Sequence, residues 1–304
     1  MPEQTLPQQA ILVVNTRSRI GADAFGQAVD LLARAGIDLL DARAVEDPER
    51  LPDEVKESMD RAPMVIVGGG DGTLSSTIDF FKGRDTVFAL LPLGTANSFA
   101  RSLGIPLDLE GAVDVIARGV RRRIDLGCIG GDYFCNSAAI GLSPLIARTI
   151  PHKLKRYLGR AGYLLWAAHM GLRFRPFRLS IDDGHSKVTV WATEARIANG
   201  GFFGGVELVE DASFESGEII VQVVTGKSSG NLAKSWLSNM LKLRNRDKWQ
   251  TEIRARDLRL ETEPQMDVTI DGEIAARTPI HICVMPDAVL MAAPPPGLEH
   301  SPRP

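Results

Sequence analysis

Residues 68–73 read Gly-Gly-Gly-Asp-Gly-Thr and follow the apolar run Met64-Val65-Ile66-Val67. Glycine lets backbone N–H groups approach an anion with no Cβ in the way. Consecutive N–H groups in such a turn form an anion-binding concavity. The residues after Thr73 read as the opening of a helix, whose N-terminus also favours negative charge. Asp71 is the odd member. A carboxylate repels a bare phosphate, so it suits a magnesium ion, a ribose hydroxyl or a proton to be moved. A second glycine turn, Pro92-Leu93-Gly94-Thr95-Ala96-Asn97, closes another apolar run and offers the Thr95 hydroxyl as a phosphate donor. A plain strand-to-helix turn with an Asp, Thr or Asn cap accounts for either hexapeptide alone; the pair reads as phosphate handling. The dinucleotide pattern G-x-G-x-x-G fails at Thr73 and Ser75. The P-loop pattern ending at Gly226-Lys227-Ser228 fails because position 221 is valine. Asp271-Gly272-Glu273 lies between two β-like runs, and Asp-Gly in that setting signals a two-residue hairpin.

These residues need elements to hold them. Residues 10–15, 37–40, 64–67 and 87–91 read as buried strands. Helix-like stretches lie between them at residues 22–35, 48–61 and from 73 to about 82, followed by short helices at 96–103 and 110–118. That βαβα rhythm predicts a parallel sheet with helices on both faces. Ligands of such sheets sit beyond the C-terminal strand ends, where both glycine turns fall. Near residue 120 the rhythm changes to short alternating segments at 124–129, 133–136, 187–198, 218–224, 258–261, 267–270, 280–285 and 288–291. These predict a second, antiparallel β domain, with helical stretches at about 153–171 and 231–243. The expected division is an α/β domain at 1–122, a β-sandwich at 123–292 whose last strand packs back on the first domain, and a disordered tail at 293–304.

The chain has 304 residues, 44% hydrophobic and 24% charged, with a net charge of −3. This is a globular composition with no global pull toward nucleic acid. The three cysteines, Cys128, Cys135 and Cys283, lack metal-ligand spacing, and their odd number reads as buried thiols in a reducing compartment. The N-terminus shows no secretory signal, and the apolar stretch at 163–172 falls short of the roughly 20 residues that span a bilayer. The five histidines are scattered and form no catalytic or metal pattern.

Taken in order, the two glycine turns (the second running on through Ser98-Phe99-Ala100-Arg101), Asp125-Leu126-Gly127, Asn136 with Gly141, Asn199-Gly200 with Gly204-Gly205, and Asp271-Gly272-Glu273 carry a resemblance. Over residues 10–292 the chain resembles the lipid kinases with a diacylglycerol kinase catalytic domain, in particular their soluble bacterial branch. The resemblance implies ATP-dependent phosphorylation of a lipid hydroxyl, in a cleft between a nucleotide domain and a β-sandwich. It implies that Gly69, Gly70, Asp71, Gly72 and Thr73 meet the ATP phosphates, with Gly94, Thr95 and Asn97 as further contacts and Asp71 beside the ATP-associated magnesium. It makes Glu273 the general base, with Asp71 its competitor for that role.

Two departures stand out. Related chains often carry Asn-Pro-x-Ser-Gly after the first strand, whereas here Asn15 and Ser18 are kept, the proline is lost and the glycine is displaced to Gly21. Many bacterial members hold an accessory magnesium through an Asp-Gly pair in the β domain. Here Ser216 replaces that aspartate, so the expected accessory site, at Ser213 and Glu218, is either absent or rebuilt from Glu215 or Glu218.

No Asp or Glu occurs from Tyr133 to Ile181, a stretch holding Arg148, Lys153, Lys155, Arg156, Arg160, Arg173, Arg175 and Arg178 among aromatic and leucine residues. A second basic stretch holds Lys234, Lys242, Arg244, Arg246 and Lys248 beside Trp236 and Trp249. Such segments suit anionic lipid headgroups; an amphipathic helix packed on the β domain is the plain alternative. The expectation is a cytoplasmic, transiently membrane-associated lipid kinase, dimeric or monomeric, without nucleic-acid partners. The rivals are a kinase of a soluble substrate, as in NAD kinases, and a non-catalytic lipid-binding protein.

Overall fold

The computed structural model describes residues 5–17, 19–151, 162, 166, 169–171, 174–226 and 250–295. The first half runs β1 (Gln9–Asn15), α1 (Arg19–Arg34), β2 (Asp38–Val45), α2 (Leu51–Met59), β3 (Met64–Gly69), α3 (Asp71–Ser75), β4 (Val87–Pro92), α4 (Ser98–Ser102) and α5 (Leu109–Arg118). It continues with β5 (Val120–Ile129), β6 (Asp132–Phe134), β7 (Ser137–Gly141) and α6 (Leu142–Thr149). Then come β8 (Phe177–Asp182), β9 (Lys187–Ala198), β10 (Phe202–Phe203), β11 (Val206–Glu207) and β12 (Ile219–Thr225). The last are β13 (Gln250–Ala255), β14 (Asp257–Glu263), β15 (Asp267–Ile270), β16 (Glu273–Arg277) and β17 (Ile280–Ala293).

The parallel order β2-β1-β3-β4 forms the α/β part. Every residue of β3 and β4 is buried, as expected of central strands covered on both faces. The edge strand β2 alternates in exposure and runs to Val45, beyond the short apolar stretch that marks it in sequence. The remaining strands pair mainly antiparallel and enclose a second core that includes Ile140, Phe177, Ile197, Val221, Leu260 and Ile282. The fold class expected from the sequence, an α/β sheet followed by an antiparallel sandwich, is the one observed.

Two strands carry the chain between the cores. β5 and β17 pair antiparallel along almost their whole length, with a break in register between Met285 and Val289. Val289 to Ala293 lie in the first core and Ile282 in the second. β17 also joins β4 in parallel at Met291 and Phe88 and β14 in antiparallel at residues 280–283. The two cores are thus edged by one continuous hydrogen-bonded sheet.

The expected helix from 73 to 82 is interrupted. Thr77 donates its hydroxyl to the carbonyls of Thr73 and Leu74, a back-bond that competes with helix propagation. α3 ends at Ser75, and a 3-10 turn, Ile78–Phe81, follows. The cysteine expectation is corrected. Cys128 and Cys283 face each other across β5 and β17 with Cα atoms 5.1 Å apart and form a disulfide; their separation of 155 residues hides the pairing from sequence. Cys135 is free and buried. Ser18, the basic stretches around Lys155 and Lys242, most of the expected helices at 153–171 and 231–243, and residues beyond 295 lie outside the described residues.

Candidate active site

Both glycine turns sit at C-terminal strand ends, side by side, because β3 pairs with β4 up to Gly69 and Pro92. Leu93 N donates to Gly69 O at 2.8 Å and zips the turns together. Their contact is backbone on backbone: a Cβ on Gly94 would lie 2.5 Å from Gly70 Cα. A Cβ on Gly69 would strike the folded-back Thr73 side chain at 2.5 Å. Gly72 differs, since a Cβ there would meet nothing within 4 Å. The glycines at 69, 70 and 94 are therefore demanded by packing, while Gly72 lines open space.

Asn97 organises the second turn. It takes the left-handed conformation (φ 47°), accepts from Gly94 N at 2.9 Å and donates to the carbonyls of Gly94 (2.9 Å) and Pro92 (3.2 Å). Its side chain is buried in the turn it shapes. Thr95 is exposed, beside a cleft of about 460 Å³ whose walls include Ala24, Gln27, Leu93, Leu107 and Leu109. Asn15 donates to Thr73 Oγ1 at 3.2 Å, tying the end of β1 to the first turn.

Asp71 opens α3, and its Oδ1 accepts from Phe99 N of α4 at 3.2 Å. The carboxylate thus spans the mouth of both turns, and its second oxygen is a hard donor suited to a magnesium ion.

The Asp271-Gly272 turn faces α3 from the other core. φ is positive at both residues, 45° and 98°, and Ile270 pairs with Glu273. This is the type I′ hairpin that Asp-Gly favours. Asp271 Oδ1 accepts from Ser137 N (2.9 Å) and Asn136 N (3.2 Å). Its Oδ2 accepts from Cys135 N (3.1 Å), Cys135 Sγ (3.3 Å) and Ser75 Oγ of α3 (3.4 Å). Burial raises the Asp271 carboxyl, and the donors of residues 135–137 oppose the rise. Burial and then the Asp271 charge push the Cys135 thiol up. Burial, then the charge of Asp271, raises half-buried Asp79 to about 6. Glu273 begins β16 on the exposed edge of the sheet, two residues beyond Asp271.

A second set of contacts joins α4 to the sandwich. Ser102 Oγ donates to Asn136 Oδ1 at 3.2 Å and accepts from Phe202 N at 3.2 Å. Asn136 Nδ2 donates to Phe202 O at 2.6 Å, and Ser98 Oγ accepts from Gly205 N at 3.1 Å. Asn199 donates to the carbonyls of Asp125 and Cys135, both at 2.8 Å.

The accessory-metal loop is closed by other means. Ser216 Oγ accepts from Glu218 N (3.2 Å) and reaches the carbonyls of Ser213 (3.0 Å) and Glu218 (3.1 Å). Glu215 pairs with Arg122. Asp125 accepts from Gly217 N (2.7 Å) and Asp287 N (2.9 Å). Two carbonyls face a hydroxyl and one carboxylate faces a guanidinium, so this donor set does not fit a divalent cation at Ser213 and Glu218.

Sequence reasoning assigned no role to Ser75, Asp79 or Cys135. They carry no local signal, and only the meeting of α3 with the hairpin gives them one. Asp271 was visible as a turn residue but not as an acceptor for five donors.

Comparison with known proteins bears on this arrangement directly. Residues 9–129 match the family model described as the diacylglycerol kinase catalytic domain, and residues 137–293 match the YegS C-terminal NAD kinase beta sandwich-like domain. A protein of Yersinia pestis (strain Pestoides F) named probable lipid kinase YegS-like is 31% identical over 242 residues, covering 76% of this chain and 79% of its own. The diacylglycerol kinase of Bacillus subtilis (strain 168) is 29% identical over 226 residues, covering 71% and 73%. The crystal structure described as "a putative diacylglycerol kinase from Bacillus anthracis str. Sterne" superposes with a TM-score of 0.81 at 25% identity, covering 97% of this chain and 98% of that one. The fold and the two matched models place the chain among proteins built from a kinase-type catalytic domain and a β-sandwich. The chain belongs to the diacylglycerol kinase-like, YegS-like family of lipid kinases. Among the described residues no helix is long and apolar enough to cross a membrane.

Proposed function

We propose that this chain transfers the γ-phosphate of ATP to the hydroxyl of a lipid. The observation that carries the reading is the backbone contact of Gly70 with Gly94, which sets two anion-receptive turns side by side, opposite a hairpin bearing carboxylates. Residues 1–122 bind the nucleotide and residues 123–292 present the acceptor. Gly69, Gly70, Gly72 and Thr73 hold the phosphates, and open space at Gly72 admits their close approach. Thr95 adds a hydroxyl donor; Asn15 and Asn97 act by shaping the turns.

Phosphoryl transfer asks the protein mainly for positioning and charge neutralisation. A magnesium ion, held by Asp71, supplies charge neutralisation on the phosphates when bound. Asp71 also orients α4 through Phe99 N. Glu273, free in water at the hairpin, is the base that takes the acceptor's proton, a contribution of roughly 10²–10⁴ in rate. The apolar cluster of Leu142, Ile146, Trp166, Met170 and Val224 at the end of β7 is a suitable bed for an acyl chain. The basic stretches around Lys155 and Lys242 bring the enzyme to anionic membrane surfaces, where each cation contributes about 1 kcal/mol.

The test is radiolabelled ATP and magnesium with total lipid extract in mixed micelles, followed by identification of the labelled species, with NAD as a parallel acceptor. A labelled lipid supports the reading. Label in NAD alone, or in neither, overturns it.

A further inference from the structure

The carboxylate of Asp271 is the point where the two halves of the site are joined. It accepts from three consecutive backbone N–H groups, at residues 135, 136 and 137, and from the Cys135 thiol. From the α/β half it accepts from Ser75, one turn after the glycine loop. Followed further, the bonds close a ring. Asn136 of the same segment is held by Ser102 of α4, and the N-terminus of α4 is held through Phe99 N by Asp71 of the glycine loop. α3, the hairpin, the 135–137 segment and α4 therefore constrain one another. Glu273 follows Asp271 by two residues and begins β16 on the other side of the turn.

We propose that Asp271 is a positioning residue, which through Ser75 and residues 135–137 sets the distance between the phosphate turns and the carboxylate of Glu273. This rests on the kinase reading given above. A carboxylate is required because every group facing it is a donor. An amide of the same shape turns its NH₂ toward one of those donors and accepts at one oxygen only. The left-handed backbone at Asp271 is kept by asparagine, so Asp271→Asn tests the charge and the hydrogen bonds rather than the turn. Ser75→Ala removes the bond between the two halves alone and leaves the hairpin's own anchors in place.

Misplacement of reacting groups by about 1 Å costs on the order of 100-fold. Asp271→Asn is expected to lower kcat about 100-fold while the ATP dissociation constant, measured by calorimetry, moves less than about threefold. Ser75→Ala is expected to lower kcat roughly three- to tenfold with an unchanged melting temperature. A double variant with Glu273→Gln separates positioning from general destabilisation: Asp271→Asn should cost little more once Glu273 is gone. Wild-type kcat in both single variants, or full additivity in the double variant, overturns the role of Asp271 while leaving the kinase reading intact. Wild-type protein that transfers no phosphate to any acceptor overturns both.

Discussion

The two halves of the candidate site are built by opposite means. On the glycine side shape is decided by the absence of side chains, since Gly69, Gly70 and Gly94 sit where any Cβ would strike backbone or Thr73. On the hairpin side shape is decided by one charge, because Asp271 gathers five donors from two segments, α3 and residues 135–137. Steric construction leaves the first turn's backbone N–H groups beside open space at Gly72. Electrostatic construction uses up those at 135–137, and the carboxylate they hold is no longer available for chemistry. Under the proposed function the first turn receives phosphate. The second serves as a support, with Glu273 outside it in water.

The sharpest break in this contrast is Gly94→Ala. Its Cβ would meet Gly70 Cα at 2.5 Å and Asn97 Oδ1 at 2.7 Å. Overpacking of that kind costs about 1–3 kcal/mol, and ATP binding should be lost with it, as read by denaturant unfolding and calorimetry. Gly72→Ala is the matched control. It has open space, and alanine favours a helix by roughly 0.5–1 kcal/mol over glycine, so stability should hold or rise while ATP affinity falls. Equal affinity in Gly72→Ala and wild type would remove the phosphate from that turn.

Next in size is Glu273→Gln, expected to lower kcat by roughly 10²–10⁴ with ATP affinity kept. Asp71→Asn should instead weaken magnesium-ATP binding as well as turnover. If the two variants show the reverse pattern, the base and the metal ligand exchange places.

Asp79 probes the electrostatics of the hairpin side. Its Oδ1 is buried and finds no hydrogen-bond partner among the described residues; Lys82 opposes, and Asp132 adds to, the effect of burial and Asp271. With its pKa raised to about 6, the folded protein binds a proton that the unfolded chain releases at lower pH. Stability from this group is fully present below the ordinary carboxylate pKa and is lost as pH rises through about 6. Asp79→Asn should therefore stabilise at pH 8, by on the order of 1–3 kcal/mol, and flatten the melting curve's pH dependence in that window. A melting temperature unchanged at pH 8 would remove Asp79 from the buried set.

The smallest effect concerns the sandwich loop. Ser216→Ala should cost about 1 kcal/mol, and a chelator should leave the wild-type melting temperature unchanged. A chelator-induced drop would restore a cation to residues 213–218.

Much of this molecule is legible in one dimension. Runs such as Met64-Val65-Ile66-Val67, short, β-branched and bounded by glycine, read as strands buried on both faces, and glycine loops after two of them mark the expected ligand end of the sheet. Asp271-Gly272 already specifies a type I′ turn, because positive φ at two successive positions excludes most other pairs. The order of these motifs carries the family. What sequence leaves open is which side chain meets which across long separations. Ser75 to Asp271, Ser102 to Asn136 and Cys128 to Cys283 are contacts of 196, 34 and 155 residues, and no local pattern encodes them. Local chemistry determined the turns and the strands. The return of β17 to β4, which brings the sandwich back onto the ends of the parallel sheet, decided that Asp271 faces the glycine loop while Glu273, two residues on, faces water.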